Sequence, residues 1–238
     1  MAVDRIQLAG ALAEIVADPP GTADIPERLC RACRAALPVD GVGLSLMPKD
    51  QPDGRVLLGA SDERGARIEE WQFGLGEGPC VSAFVAGRPM LVPDLQAREI
   101  RVRWPMFTRE AALAGVGAVF AFPLQIGVIG IGVLDCYRVH AGPLEEMAEA
   151  LAVTDAVTVA LLNIEVAGGD NGVDEVALFD LSWRTHAVVH QATGALAAEF
   201  GIAVGEALAR LRAHAFAVSR PLDEIAVQVL TGRLRLTR

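Results

Sequence analysis

The chain has 238 residues, with 30 acidic and 21 basic side chains, a net charge of −9 and 52% hydrophobic residues. That length accommodates two ordinary domains, each with its own core. No apolar run approaches the ~18 residues of a membrane span, the opening Met1-Ala-Val-Asp lacks the basic and apolar regions of a secretory signal, and four cysteines make no disulfide framework in a cytosolic chain of this size, so the expectation is a cytoplasmic protein with no membrane partner.

In chain order, Asp4 to Val16 predicts an amphipathic helix stopped by Pro19-Pro20-Gly21, and a second helix runs from about Ile25 to Leu37. Cys30 and Cys33 form a Cys-x-x-Cys inside that second helix. With no second pair at metal spacing, they read as buried helix cysteines rather than a zinc or redox pair. Strand-like runs follow at Gly41–Met47 and Arg55–Ala60, separated by a Pro-Asp-Gly turn at 52–54. A glycine-rich bend, Leu75-Gly-Glu-Gly-Pro-Cys80, opens a short helix. Pro89–Val92 is a short strand before a long loop, and Trp104-Pro-Met-Phe107 starts another helix. Ala118–Leu124 and Ile129–Cys136 are two alternating strands with glycines at their junction.

Pro143 to Val166 predicts a long helix in which Leu144, Met147, Leu151, Thr154, Thr158 and Leu161 repeat at three–four spacing, a modest coiled-coil seam. Gly168-Gly-Asp-Asn-Gly172 breaks it, and a new helix starts near Asp174. Together with Asp4–Val16, this long helix is the leading candidate for a homodimer contact.

The remainder reads as three short helices: His186 to Phe200, ended at Gly201, then Glu206 to Ala215, then Arg220 to Ala226. On a helical wheel Val188, Val189, Ala192, Ala195 and Leu196 gather on one side, the face a bundle buries. Ala187, Gly194 and Ala198 lie opposite, edged by His190 and Gln191. A glycine inside a helix costs about 1 kcal/mol against alanine, so Gly194 needs a reason: close packing of another helix, or close approach of an RNA. In the next helix Leu208, Leu211 and Ala215 point one way, Arg210 and His214 roughly the other. Glu206 stands four residues before Arg210, the order of a helical ion pair, while Arg210, Arg212, His214 and Arg220 suit contacts to phosphates or loop bases.

Charge placement separates the two parts. Residues 1–173 hold 23 acids and 14 bases, the whole of the −9, whereas the remainder balances at seven of each. Polyanion contact therefore belongs to the C-terminal part, where recognition has to lean on loop shape and specific bases rather than on bulk attraction. No catalytic group emerges: Asp94 and Glu99 near Arg101 and Arg103 read as a mixed charged loop, and His140, His186, His190 and His214 form no metal-spaced set. The chain is read as a non-enzyme without a cofactor.

Two resemblances sharpen these readings. Gly76-Glu-Gly-Pro-Cys80, Val92-Pro-Asp94, Trp104-Pro105-Phe107, Phe122-Pro-Leu124 and Ile131-Gly-Val-Leu-Asp135 resemble a GAF domain of the actinobacterial kind often found ahead of ANTAR domains. That implies a six-stranded antiparallel sheet flanked by helices, with a small-molecule ligand or a vestigial, dimer-forming pocket. The absence of histidine from residues 1–139 excludes a histidine-ligated haem there. Ala192, Gly194 and Leu196, Gly201-Ile202, Ala207 to Arg212 and Leu222 to Ala226 resemble, in order and spacing, the ANTAR domain, a bacterial RNA-binding module of transcription antitermination. Thr193 departs from the lysine that many such domains carry there, and Leu196-Ala197 from a usual Leu-Met.

The expected fold class is α+β, a GAF-like antiparallel sheet flanked by helices followed by a small all-α three-helix ANTAR-like domain. The expected division is an N-terminal helix at 1–19, a sensor at 20–166, a linker at 167–173 and an RNA-binding domain at 174–238. The resemblance implies an antitermination regulator that binds RNA stem-loops as a homodimer, through His190, Gln191, Thr193, Gly194, Arg210, Arg212, His214 and Arg220. The alternative is a ligand-sensing or scaffolding dimer without RNA-binding competence. The surface of the tail discriminates between them: arginines clustered beside Gly194 favour RNA, and arginines paired to Glu206, Asp223 and Glu224 favour the scaffold.

Overall fold

The computed structural model describes residues 25–47, 55–170 and 177–236, with Gly10, Leu12, Glu14 and Ile15, and within 164–185 the backbone alone. Most of the Asp4–Val16 helix, the turn at 52–54 and the helix start near Asp174 lie outside the described residues.

The first part is built on one antiparallel sheet of five described strands, one fewer than the resemblance implies. These are β1 (Gly41–Leu46), β2 (Val56–Ala60), β3 (Met90–Val92), β4 (Ala118–Ile126) and β5 (Ile129–Arg138), in the order β2-β1-β5-β4-β3. Period-two alternation sorts their side chains onto two faces. Phe120, Phe122, Leu124, Leu134 and Cys136 pack against α1 (Ile25–Ala36) and α6 (Met147–Asp170), and Leu12 is buried in the same core. On the other face lie α2 (Glu63–Leu75), α3 (Pro79–Ala86), α4 (Arg98–Arg103) and α5 (Pro105–Leu113), over Val119, Ala121, Val133 and Tyr137. The α2 helix and the short α4 stand where the sequence reading named no helix.

Two expectations are corrected here. The α6 face read as a coiled-coil seam lies mostly inside: Leu144, Thr154, Thr158 and Leu161 are buried, whereas Leu151 is 41% exposed. The two threonines bond within the helix, Thr154 Oγ1 donating to Ala150 O and Thr158 Oγ1 to Thr154 O, so they sit in the core without an unmet polar group. The same helix continues through Gly168 and Gly169 to Asp170, past the break expected at Gly168. All four cysteines are free and buried, and burial pushes the Cys33 thiol up to about 12, which keeps it protonated.

The C-terminal part comprises α7 (Ala177–Phe200), α8 (Val204–Ala217) and α9 (Leu222–Leu230). The α7 helix is kinked at His186, whose backbone (φ −134°, ψ 23°) is not helical, so the expected helix start at His186 survives as a bend. Gly201 (φ +65°) ends α7 in the left-handed conformation, and Ile202 N donates to Ala197 O at 3.1 Å, the Schellman arrangement. Val189, Ala192, Leu196, Leu208, Leu211 and Ile225 form the bundle core.

Candidate nucleic-acid interface

The Gly76-Glu-Gly-Pro-Cys motif joins three helices. Gly76 (φ +66°) caps the C-terminus of α2. Glu77 Oε2 accepts from Met106 N at 2.9 Å and Phe107 N at 3.1 Å, closing the first turn of α5. Gly78 (φ +132°) precedes Pro79 at the start of α3. The glycines thus serve the turn. From the end of α2 so fixed, Phe73 projects away from the sheet into the C-terminal bundle.

Phe73 is 3% exposed, and its buried neighbours belong to the bundle core. His186 stacks on its ring with centroids 4.1 Å apart, His190 meets it edge-on at 5.9 Å, and the Arg212 guanidinium lies 5.4 Å from its centroid. Arg212 also rests against the C-terminal end of α2, where a Cβ on Gly76 would meet its Nη1 at 3.1 Å. That is the favourable end of the helix dipole for a cation. Burial, then His186, then Arg212 hold the His190 imidazole below its ordinary value. His186 Nδ1 lies 3.7 Å from Asp223 of α9.

The sequence-predicted residues thus fall into separate places. His190 and Arg212 come together around Phe73. Gln191 and Gly194 are exposed on the outer side of α7, and a Cβ built on Gly194 would meet nothing within 4 Å. Close packing within the described chain therefore does not account for this glycine. Thr193 is turned inward: it is 1% exposed, and its hydroxyl donates to Val189 O at 2.7 Å. Ala195, placed on the buried side by the wheel, is exposed. The two have exchanged places because the bundle axis lies toward Val189, Thr193 and Leu196. Arg210 bonds Glu206 at 2.8 Å and stacks near Phe200, with its carbon 5.5 Å from the ring. Arg220 grips Glu224 through Nε at 3.1 Å and Nη2 at 2.6 Å. His214 is half-buried in the last turn of α8.

Sequence reasoning missed Phe73, the aromatic role of His186, and a buried polar cluster on the other side of α2. There Ser45 Oγ donates to Glu69 Oε2 at 2.5 Å, Gln72 Nε2 donates to Asp135 Oδ2 at 3.1 Å, and Cys80 N donates to Gln72 Oε1 at 2.8 Å. Arg55, also buried, bonds the Glu69 carbonyl. The legible signal was a charged residue in an apolar strand, Asp135 in Val133-Leu-Asp-Cys136.

An α+β unit thus carries a helical bundle that meets β2, α6 and α2, with Phe73 of α2 buried in the bundle core. Residues 182–230, spanning α8, α9 and most of α7, match the ANTAR domain. The sheet domain is similar in fold to the GAF domain of a phosphoenolpyruvate-protein phosphotransferase from Coxiella burnetii, at 16% identity over 70% of this chain and 97% of that one, with a TM-score of 0.50. The GAF domain of the Acinetobacter phosphoenolpyruvate-protein phosphotransferase is similar at 11% identity over 71% of this chain and 99% of that one, also with a TM-score of 0.50. No curated protein matches the chain. The chain therefore combines a GAF-like fold with an ANTAR domain. Among the described residues, no single helix is long and apolar enough to cross a membrane.

Proposed function

We propose that the chain is an RNA-binding antitermination regulator whose C-terminal bundle binds RNA stem-loops under control of the GAF-like domain. The observation that carries this reading is the ANTAR match over the three C-terminal helices. The open surface at Gly194 supports it, because a base or backbone can approach a helix closely where no side chain intervenes. Gln191, Gly194, Arg210 and Arg220 make the accessible part of the contact. His190 and Arg212 complete it only when Phe73 withdraws. The described arrangement is then the closed state, and a signal acts by loosening the hold of α2 on the bundle. In the open state a homodimer holds two adjacent hairpins, with phosphates giving salt-dependent affinity and loop bases giving discrimination.

The scaffold reading draws on a specific observation. Arg210 and Arg220 are paired to Glu206 and Glu224, and Arg212 is engaged by Phe73. Exposed i,i+4 pairs are worth only a few tenths of a kcal/mol, so RNA phosphates compete with them readily. Gel shift with tandem-hairpin leader RNA from the same genome tests the proposal. Binding that falls with salt and with a bulky residue at Gly194 supports it; a folded protein that binds no such RNA at low salt leaves the scaffold.

A further inference from the structure

Beneath α2, on the side away from the bundle, one ligand atom each from Glu69, Cys80 and Asp135 lies within 4.8 Å of the other two. All three come from regular elements: α2, the first turn of α3, and β5. Each carboxylate has one oxygen anchored and one without a partner. Glu69 Oε2 is held by Ser45 and lies 3.7 Å from Arg55 Nη1, and Asp135 Oδ2 is held by Gln72. Glu69 Oε1 and Asp135 Oδ1 are buried without a hydrogen-bond partner, in side chains 1% and 3% exposed. Unmet buried acceptors are costly, and here two stand beside a buried thiol. The cleft bounded by Gly43, Glu69 and Asp135 is too narrow to seat an organic ligand. A single ion needs no such space.

We infer that Glu69, Cys80 and Asp135 form a site for one thiophilic divalent cation of the zinc type. Two carboxylate oxygens and one sulfur suit a borderline-soft ion, whereas magnesium and calcium take oxygen ligands throughout. The surrounding groups are those that orient metal ligands: Ser45 and Arg55 on Glu69, Gln72 on Asp135. Arg55, 3.7 Å from Glu69, offsets part of the negative charge of the three ligands. On loading, the ion takes a lone pair from each ligand, and any proton a ligand holds leaves to solvent, with no change of oxidation state.

Tetrahedral zinc, with bonds of about 2.3 Å to sulfur and 2.0 Å to oxygen, sets its ligands roughly 3.3–3.5 Å apart. Glu69 stands one turn before Phe73, on the helix that holds the bundle.

The test uses full-length, metal-stripped protein and no RNA, so its outcome is separate from that of the RNA reading. Titration with Zn2+ should give one equivalent per chain, with affinity that rises with pH. Co2+ should produce a thiolate charge-transfer band in the near ultraviolet. Cys80→Ser should abolish the band, and Asp135→Asn, an isostere that keeps Gln72 in reach, should weaken Zn2+ binding at least about tenfold. Cys33→Ser and Cys136→Ser, on the opposite face of the sheet, should change neither. Less than one equivalent, or a band that survives Cys80→Ser, or Zn2+ affinity unaltered in folded Asp135→Asn, would overturn the site.

Discussion

Replacing Phe73 with alanine weakens the contact between the two parts. Phe→Ala at a buried position removes about 3–5 kcal/mol. The buried neighbours of this ring are bundle residues, so most of that loss falls on docking rather than on the sheet core. The Arg212 guanidinium over the ring adds roughly 0.5–2 kcal/mol that also disappears. Weakening docking by about 3 kcal/mol raises the undocked fraction roughly a hundredfold, at 1.4 kcal/mol per tenfold. If RNA needs the undocked form, apparent affinity scales with that fraction until undocking is complete. Full-length Phe73→Ala should therefore bind tandem-hairpin RNA tighter than the parent, by up to about a hundredfold, and amides of α7 and α8 facing α2 should exchange faster. Phe73→Leu, which keeps apolar volume but loses the stacking, should fall between. A folded Phe73→Ala protein with unchanged amide exchange and unchanged or weaker RNA affinity would refute the closed-state argument.

Three further outcomes follow from the same geometry. Gly194→Leu should stabilise the fold by roughly 0.5–1 kcal/mol, since the added side chain meets nothing and helix propensity improves; it should also block RNA, and a melting curve with a gel shift checks both halves. Arg210→Ala and Arg220→Ala should change stability by less than about 1 kcal/mol, yet each should weaken RNA binding by about 1–3 kcal/mol and reduce the slope of log affinity against log salt by about one. An unaltered slope would remove them from the interface. Because His190 is held below its ordinary value when docked, the undocked form binds more protons. Docking is then at full strength above about pH 6.5 and weakens as pH falls toward the depressed docked value. His186, Arg212 and the Phe73 ring are among the groups facing His190, with Asp223 beyond His186. The affinity advantage of Phe73→Ala over the parent should shrink between pH 7.5 and 5.5, and a constant ratio would exclude a part for His190.

Much of this architecture was legible because its signals are local. Alternation gave β4 and β5, the glycine-rich bend gave the start of α3, and the order of small-residue helices gave the C-terminal bundle. The α2 helix was not legible, although Asp62 supplies a good N-cap, its side chain accepting from Gly65 N at 2.9 Å. Its faces explain why: Ile68 packs toward the sheet, Glu69 and Gln72 enter the buried polar cluster, and Phe73 leaves for the bundle. Polar residues at inward positions and an apolar one directed elsewhere erase the single stripe by which a helix is read. The site residues divide similarly. Gly194 was readable because an exposed helical glycine is anomalous in any context. Thr193 was misplaced because the bundle axis, which no local pattern reveals, decides which flank of a helix is buried.

The central claim is that the C-terminal bundle binds RNA hairpins and that the sensor withholds it. Titration of one tandem-hairpin leader RNA with the full-length protein, Phe73→Ala and Phe73→Ala/Gly194→Leu at two salt concentrations tests it most directly. The account predicts salt-dependent binding by the parent, tighter binding by Phe73→Ala, and loss of that gain in the double variant. Absence of binding by all three at low salt, with each folded, would contradict it.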